Sequence, residues 1–362
     1  MPDRPPSPTT PRTGAPTQER LHWVDAAKAA AIILVVAYHL GGAGMDRLLP
    51  NPDGFGSVFW TRANDVLLPM RMPLFFLTAG LLAHRAVRRP WPVVARSRVL
   101  VLLWPYVLWS LAFASFAGFA YQPAAPEAYA LDRLKAIPFA GTAYWFLAVL
   151  VVFFVTAKLL RRWPAVVLGL TLVLAATAPY LEPVIEESVP SLATYAVVRV
   201  ARYAFWYFLG CYAFSAVKRL SELPPWPVLL IGGSAFTGLT AVALLAGLDR
   251  PLAFPLSVAG LAAAVGGSVL AVRSGRVRTV SRYIAGRTLP IYLVHPVLIN
   301  LVVLAALLLG GPLPPNDALA TWLTPVLVAV SVAVSVVVYD AAMRTPLRVL
   351  FQPPERLTAV RA

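Results

Sequence analysis

Residues 99–120 read VLVLLWPYVLWSLAFASFAGFA and contain no charged side chain. A helix needs about 20 mostly apolar residues to cross the hydrocarbon core of a bilayer, so this stretch has the length and composition of one membrane span. Nine further apolar runs of similar length occur along the chain, before and after this one, at 24–41, 64–83, 142–158, 164–181, 201–217, 227–247, 252–272, 288–310 and 321–340. The sequence therefore predicts an all-α polytopic membrane protein, a bundle of about ten transmembrane helices.

The composition favours a membrane protein over a soluble one. The 362-residue chain is 59% apolar and 13% charged, whereas roughly a quarter of the residues of a soluble domain are charged. A formal net charge of +15 also occurs in nucleic-acid-binding proteins, but here the basic residues lie in short clusters between long apolar runs. The predicted partner is therefore the lipid bilayer and not a nucleic acid. Cys211 is the single cysteine, so neither an internal disulfide nor a zinc site is predicted.

The distribution of basic residues predicts the topology. Lys and Arg concentrate in alternate connections, such as 84–98 and 273–287, while the other connections hold most of the acidic residues. Because basic loops stay in the cytoplasm, this pattern predicts a multi-pass plasma-membrane protein with both termini cytoplasmic. Residues 1–18 are predicted to form a disordered Pro-rich cytoplasmic tail, 19–345 the transmembrane domain and 346–362 a cytoplasmic C-terminal tail. The connections are short, so any chemistry takes place in the helical bundle.

Lys28 and His39 are candidate functional residues on the first span. They are 11 positions apart, which is about 1100° of helix and therefore about 20° beyond three full turns. The two side chains share one face, and about 16 Å of helix separates them along the axis. An ionisable group deep in a membrane is a functional-site hypothesis, because its burial costs free energy unless it faces a cavity or a partner. The alternatives are an interhelical hydrogen bond for His39 and snorkelling to the headgroups for Lys28.

A second candidate is the pair Arg96 and Arg98, directly before the uncharged run at 99–120. Guanidinium groups bind phosphate through bidentate hydrogen bonds, and both arginines are expected at the cytoplasmic mouth beside Lys28. The alternative is simple anchoring of the span by basic residues.

Three residues inside other spans are weaker candidates. Arg71 lies six residues after Asp65, and a membrane arginine needs a carboxylate, a carbonyl or water, so a polar cavity is expected there. Trp145 could instead be an interfacial belt residue. His295 precedes Pro296, and a contact at a helix kink is the alternative to a substrate contact.

Several of these residues lie in motifs that occur together and in order. RLHWVDAAKAAAIILVVAYHL at 20–40 holds Lys28 and His39 with ten residues between them, and RSR at 96–98 precedes an apolar span. The further motifs are MPLFFLTAGLL at 72–82, YWFLAVL at 144–150 and GRTLPIYLVHPVL at 286–298. Together they resemble the membrane acyltransferase family often called acyltransferase 3, especially the branch similar to fucose 4-O-acetylases.

The resemblance implies an enzyme that transfers an acyl group, commonly acetyl from acetyl-CoA, to a hydroxyl of a carbohydrate or related cell-envelope acceptor. By the family pattern Lys28 and His39 form the essential first-helix pair, and Arg96 and Arg98, with Lys28, bind the acyl-CoA donor. His39 would act either as general base or as transient acyl carrier. The substrate-binding residues expected from the remaining motifs are Arg71, Trp145, Tyr292 and His295.

Two positions depart from the family pattern. Ala79 stands where the second-helix motif usually has Ser, and Thr78 precedes it, so a hydroxyl is not required there. Arg71 stands where the acetylase branch often has His, which leaves the acceptor specificity open. Neither departure affects the first-helix pair or RSR, so activity is expected.

A different class of function also fits many spans with ionisable residues inside them. A transporter or exporter of a glycan or lipid-linked intermediate has these features, and a scaffold without turnover is a third possibility. A carrier needs no site for acyl-CoA, so the combination of Lys28, His39, Arg96 and Arg98 favours the enzyme. The acceptor, the acyl group and the oligomeric state stay open.

Overall fold

The computed structural model describes residues 21–358, and the regular structure within this range is helical. The predicted Pro-rich tail at 1–18 lies outside the described residues. Ten long helices, here α1 to α10, correspond to the ten predicted apolar runs. They are, in order, His22–Leu40, Phe55–Ala83, Val101–Tyr121, Trp145–Leu159, Pro164–Ser188, Ser191–Tyr212, Pro225–Ala246, Asp249–Ala271, Thr288–Leu308 and Asp317–Ala342. The run 201–217 continues past the end of α6 into the following short helix.

The all-α membrane architecture is confirmed. Within residues 21–358, eight helices are long and apolar enough to cross a membrane. The other two long helices are α4 and α6. Helix α4 has 15 residues, so its length of about 22 Å is shorter than the hydrocarbon core of about 30 Å. Helix α6 has 22 residues but carries Arg199 and Arg202 near its middle.

Shorter helices connect the long ones. Pro126–Ala136 lies between α3 and α4, Phe214–Glu222 between α6 and α7, and Gly275–Ala285 between α8 and α9. Single turns make up the rest of the helical structure. They are Ala43–Asp46, Ala86–Arg88, Trp91–Val94, Ala95–Leu100, Ile137–Phe139, Pro346–Leu350 and Glu355–Thr358.

Helix α1 lies at the centre of the bundle. It packs against α2, α8, α9 and α10 and against the connecting helix Gly275–Ala285. Ala27, Ala31, Ile32 and Val36 are completely buried in these contacts. Small side chains let neighbouring helices approach closely in a membrane, where apolar surface alone does not drive association. The alanine-rich first half of α1 therefore fits its central place.

Helices α2 and α6 make the closest approach at two glycines. A Cβ atom at Gly80 would lie 2.0 Å from the carbonyl oxygen of Tyr207, and one at Gly210 would lie 2.2 Å from that of Leu77. Any larger side chain would push these helices apart, so both positions require glycine. The crossing places the end of α2 beside the end of α6.

Polar contacts fix the ends of two other helices. Arg287, just before α9, donates hydrogen bonds of 3.1 Å to both carboxylate oxygens of Asp340 near the end of α10. These hydrogen bonds raise the pKa of Arg287 above its ordinary value. The pair joins α9 to α10 at the end of the bundle that carries Lys28.

The segment after residue 345, predicted as the start of a C-terminal tail, packs on α3. The indole nitrogens of Trp104 and Trp109 donate hydrogen bonds of 2.7 Å to the carbonyl oxygens of Val349 and Leu350. Phe351 is 2% exposed and contacts the Trp109 ring, with ring centroids 5.5 Å apart. Residues 346–351 are therefore part of the folded bundle.

Candidate active site

One cavity, of about 370 Å³, opens beside His39 and is named here the His39 cavity. His39 comes one residue before the end of α1, and its side chain is exposed to this space. The wall carries many hydrogen-bonding groups, including Thr61, Asn64, Asp65 and Asn300. The cavity can therefore bind a ligand that is rich in hydroxyl groups.

Aromatic rings and one guanidinium complete the wall of the His39 cavity. Tyr38 and Tyr121 line it together with Arg47. The Arg47 guanidinium lies 4.0 Å from the centroid of the Tyr121 ring and donates hydrogen bonds to the Ala120 carbonyl and to Asn300 Oδ1. These contacts hold Arg47 in place at the cavity wall.

His39 lies against a second imidazole, that of His295 on α9. The two ring centroids are 5.3 Å apart, and His295 is completely buried. Nδ1 of His295 is 2.9 Å from the Ile291 carbonyl oxygen, which only accepts hydrogen bonds, so Nδ1 carries the hydrogen. Nε2 is then the acceptor nitrogen, and it has no hydrogen-bond partner among the described residues. The ring is held in one tautomer by its own helix.

Tyr292 and Tyr144 fasten this part of α9 to the start of α4. The Tyr292 hydroxyl donates to the Ala143 carbonyl at 3.1 Å and accepts from the Phe146 backbone N–H at 3.3 Å. Tyr144 donates to the Leu293 carbonyl at 3.0 Å. These bonds explain why two short motifs far apart in sequence occur together: their residues meet in one layer of the bundle.

A second cavity, of about 300 Å³, contains Lys28 and is named the Lys28 cavity. Lys28 Nζ donates a hydrogen bond of 3.0 Å to the Ala285 carbonyl, and Arg98 lines the same space. The other walls are mostly apolar, with Phe75, Leu147 and Phe154 among them. The cavity thus combines two cations with an apolar interior.

Tyr292 belongs to the layer that lies between the two cavities. It lines the Lys28 cavity, and its hydroxyl contacts Ala143, which lines the His39 cavity. The Tyr292 and His295 ring centroids are 5.9 Å apart. Lys28 and His39, which share one face of α1, therefore line two different cavities separated by this layer.

Arg96 and Arg98 lie in different surroundings in the structure. Both lie on the π-helical turn Ala95–Leu100 before α3. Arg98 lines the Lys28 cavity and donates a hydrogen bond of 3.4 Å to the Leu82 carbonyl, whereas Arg96 does not line that cavity. Side chains two residues apart on a helix point to different sides, so both cannot face the same cavity.

Arg71 and Trp145, predicted to bind substrate, contact other protein groups. Arg71 is 2% exposed. Its guanidinium lies 4.6 Å from the Tyr38 ring centroid and donates at 3.4 Å to the Leu34 carbonyl. A carbonyl and an aromatic face thus hold this membrane arginine, and it supports the residue next to His39.

Trp145 lies beside a basic residue that sequence reasoning did not single out. The Arg199 guanidinium is 4.2 Å from the Trp145 ring centroid and donates to the Ala140 carbonyl at 3.1 Å. Arg47 and Asn300 were missed as well. The available signal was the one already used for His39, a polar side chain near or inside an apolar run. Within residues 21–358, no three His, Cys, Asp or Glu side chains form a group that could hold a metal ion.

A family model described as an acyltransferase domain matches residues 21–340. The chain belongs to the acyltransferase 3 family. The chain is similar to the inner membrane protein YcfT of Escherichia coli (strain K12), with 28% identity over 156 residues. That match covers 39% of this chain and 44% of the relative's length. No solved structure matches the chain.

The acyltransferase domain matched by the family model favours the enzyme over the transporter alternative. The match extends over all six long helices that line the two cavities: α1, α2, α3, α4, α6 and α9.

Proposed function

We propose that this acyltransferase moves an acyl group, commonly acetyl, from acyl-CoA to a hydroxyl of a carbohydrate or related cell-envelope acceptor. The observation that carries the proposal is the pair of unlike cavities on either side of the layer that holds Tyr292 and His295. One combines cations with apolar walls, and the other is polar and contains His39.

The Lys28 cavity suits the donor. Acyl-CoA carries phosphates joined to a long thioester arm, and Lys28 and Arg98 offer the cations that phosphate groups bind. The apolar walls suit the arm itself. The basic residues of the connections also predict that this end of the bundle faces the cytoplasm, where acyl-CoA is made.

The His39 cavity suits the acceptor. Its amide, hydroxyl and carboxylate groups can exchange hydrogen bonds with the hydroxyls of a sugar, and its aromatic rings can pack against a sugar face. With the donor entering from the Lys28 end, the acceptor enters from the opposite side of the membrane or from the outer half of the bilayer.

His39 acts as the general base. It lines the acceptor cavity, so the group nearest to it is the acceptor hydroxyl, which favours this role over that of acyl carrier. His39 takes the hydroxyl proton while the oxygen attacks the thioester carbonyl carbon. The new C–O bond forms, the C–S bond breaks, and the CoA sulfur leaves as a thiolate that takes up a proton. Acyl ester and free CoA are the products.

The test is turnover of acetyl-CoA by the purified protein in detergent, followed by release of free thiol. Removing a general base typically lowers a rate by roughly 10²–10⁴-fold, so His39→Gln should lose turnover. His22→Gln, at the first residue of the same helix and outside both cavities, is the matched control and should keep it. Equal rates for wild type and His39→Gln would contradict the proposal.

A further inference from the structure

Four arginines line a groove at the end of the bundle that carries Lys28. The groove has a volume of about 570 Å³ and lies between the turns that follow α2 and α4. Arg88 and Arg89 come from the first turn, and Arg161 and Arg162 from the second. All four are exposed. Within residues 21–358, no Asp or Glu forms an ion pair with any of them.

Buried contacts hold the two turns of this basic groove together. Lys158, 4% exposed, donates hydrogen bonds to the backbone carbonyls of Val87, at 3.3 Å, and of Arg89. Its ammonium also lies 5.0 Å from the centroid of the Trp91 ring. The cationic surface is therefore built on a fixed frame.

Two exposed tryptophans add aromatic surface to the groove. Trp91 and Trp163 line it and are 41% and 57% exposed. An exposed indole is a surface on which a nucleobase stacks, and guanidinium groups bind phosphate through bidentate hydrogen bonds. Phosphates together with a base are the chemistry of a nucleotide. The phosphate of an anionic lipid would use the arginines, and the indoles would then be interfacial residues.

The groove lies near the Lys28 cavity. A recess of about 340 Å³ shares Arg88, Arg161 and Arg162 with the groove and is also lined by His84. Ala83, the residue before His84, lines the Lys28 cavity. Cys211 of the recess and Tyr207 of that cavity are four residues apart on α6, about 6 Å along the helix axis. The groove, the recess and the Lys28 cavity thus lie close to one another at this end of the bundle.

The Lys28 cavity is too small to hold the whole acyl-CoA donor. Its 300 Å³ is at the lower end of the roughly 300–1,000 Å³ that drug-sized ligands occupy, and acyl-CoA is a larger molecule. The cavity has room for the thioester arm, so the nucleotide end needs a site outside it. We propose that the basic groove binds the 3′-phosphoadenosine diphosphate end of the acyl-CoA donor, an inference that rests on the proposed function.

The experiment measures binding of adenosine 3′,5′-bisphosphate, which lacks the thioester arm, to the full-length protein in nanodiscs of phosphatidylcholine. The groove variant is Arg161→Gln/Arg162→Gln, and Arg88→Gln/Arg89→Gln is a second one from the other turn. The matched control is Arg276→Gln/Arg278→Gln, which removes two exposed arginines of the connecting helix Gly275–Ala285, outside the groove.

Wild type should bind the bisphosphate, and each groove variant should bind it roughly tenfold more weakly or worse, because charge-assisted hydrogen bonds are lost. The control should stay within about twofold, since distant charges are screened by salt. Equal binding by wild type and groove variants, or an equal loss in the control, would overturn the proposal. Binding of phosphatidylglycerol, added to the nanodisc lipid, that depends on Arg161 would also overturn it if the bisphosphate does not bind. That result would identify a lipid site.

A short donor separates this proposal from the proposed function. S-acetyl-N-acetylcysteamine carries the thioester without a nucleotide, so the groove variants should turn it over at the wild-type rate while their KM for acetyl-CoA rises. Groove variants that lose the short donor as well would contradict the nucleotide role. A wild type that turns over neither thioester contradicts the proposed function, and bisphosphate binding still decides the groove.

Discussion

The imidazole ring of His295 lies with its centroid 5.3 Å from that of His39, and the Ile291 carbonyl fixes its tautomer so that Nε2 is an acceptor. This arrangement lets His295 orient the ring of His39 by accepting a hydrogen bond from a water that bridges the two rings. The other nitrogen of His39 would then be free to take the acceptor proton. His295 is thus a positioning residue in the proposed mechanism.

We expect His295→Leu to lower kcat roughly tenfold or more, because a misoriented base loses about the value of one hydrogen bond in the transition state. The KM for acetyl-CoA should stay near the wild-type value, since His295 does not line the Lys28 cavity. His295→Gln, whose amide oxygen can stand near the position of Nε2, should recover part of kcat. A KM that rises with an unchanged kcat would contradict the positioning role.

Arg98 and Arg96 offer a matched pair of variants on one turn. Arg98→Gln should raise the KM for acetyl-CoA roughly tenfold, because a cation facing the proposed donor site is lost. Arg96→Gln removes the same charge two residues away, outside the Lys28 cavity, and should change the KM far less. Steady-state kinetics over a range of acetyl-CoA concentrations checks this. Equal effects of the two variants would show that both arginines serve the donor.

Gly80 tests the helix crossing that shapes the bundle. Gly80→Val should destabilise the protein by about 1–3 kcal/mol, because the new side chain would collide with the backbone of α6. Gly233→Ala on α7 is the control, since nothing lies within 4 Å of a Cβ there. Thermal unfolding in detergent should show a lower Tm for the first variant and an unchanged or higher Tm for the second.

Phe351 tests the packing of the C-terminal segment. Phe351→Ala should cost about 3–5 kcal/mol, as for other buried aromatic residues, because the side chain is 2% exposed. Leu347→Ala, at a position 56% exposed, should have little effect on Tm. Similar Tm values for both variants would mean that residues 346–351 are not part of the folded bundle in solution.

The helices could be predicted from the sequence because hydropathy is a local property. Each of the ten apolar runs overlaps one long helix of the structure, although 201–217 extends past the end of α6 and 142–158 begins before α4. The helical spacing of Lys28 and His39 also predicted a shared face with different depths, and the structure places them in two cavities. What is set within one helix could be derived without knowing its neighbours.

The arrangement of the site depends on contacts between distant segments and could not be derived in the same way. Nothing in RSR at 96–98 indicates a π-helical turn that directs Arg98 and not Arg96 into the Lys28 cavity. The bond of Tyr292 to Ala143 joins two motifs that hydropathy treats separately. From the sequence, Arg161 and Arg162 indicated only the membrane topology. The groove depends on the turn after α2 lying beside them in the folded protein.

In the proposed mechanism the Lys28 cavity binds the acyl-CoA donor and the His39 cavity binds the acceptor. The most direct test of this mechanism measures acetyl-CoA binding and kcat on the same preparations of wild type, His39→Ala and Arg98→Gln. We expect His39→Ala to bind acetyl-CoA like wild type and not to turn it over. Arg98→Gln should bind more weakly and keep its kcat at saturating donor. A His39→Ala variant that loses acetyl-CoA binding, or an Arg98→Gln variant that binds normally and loses kcat, would contradict the mechanism.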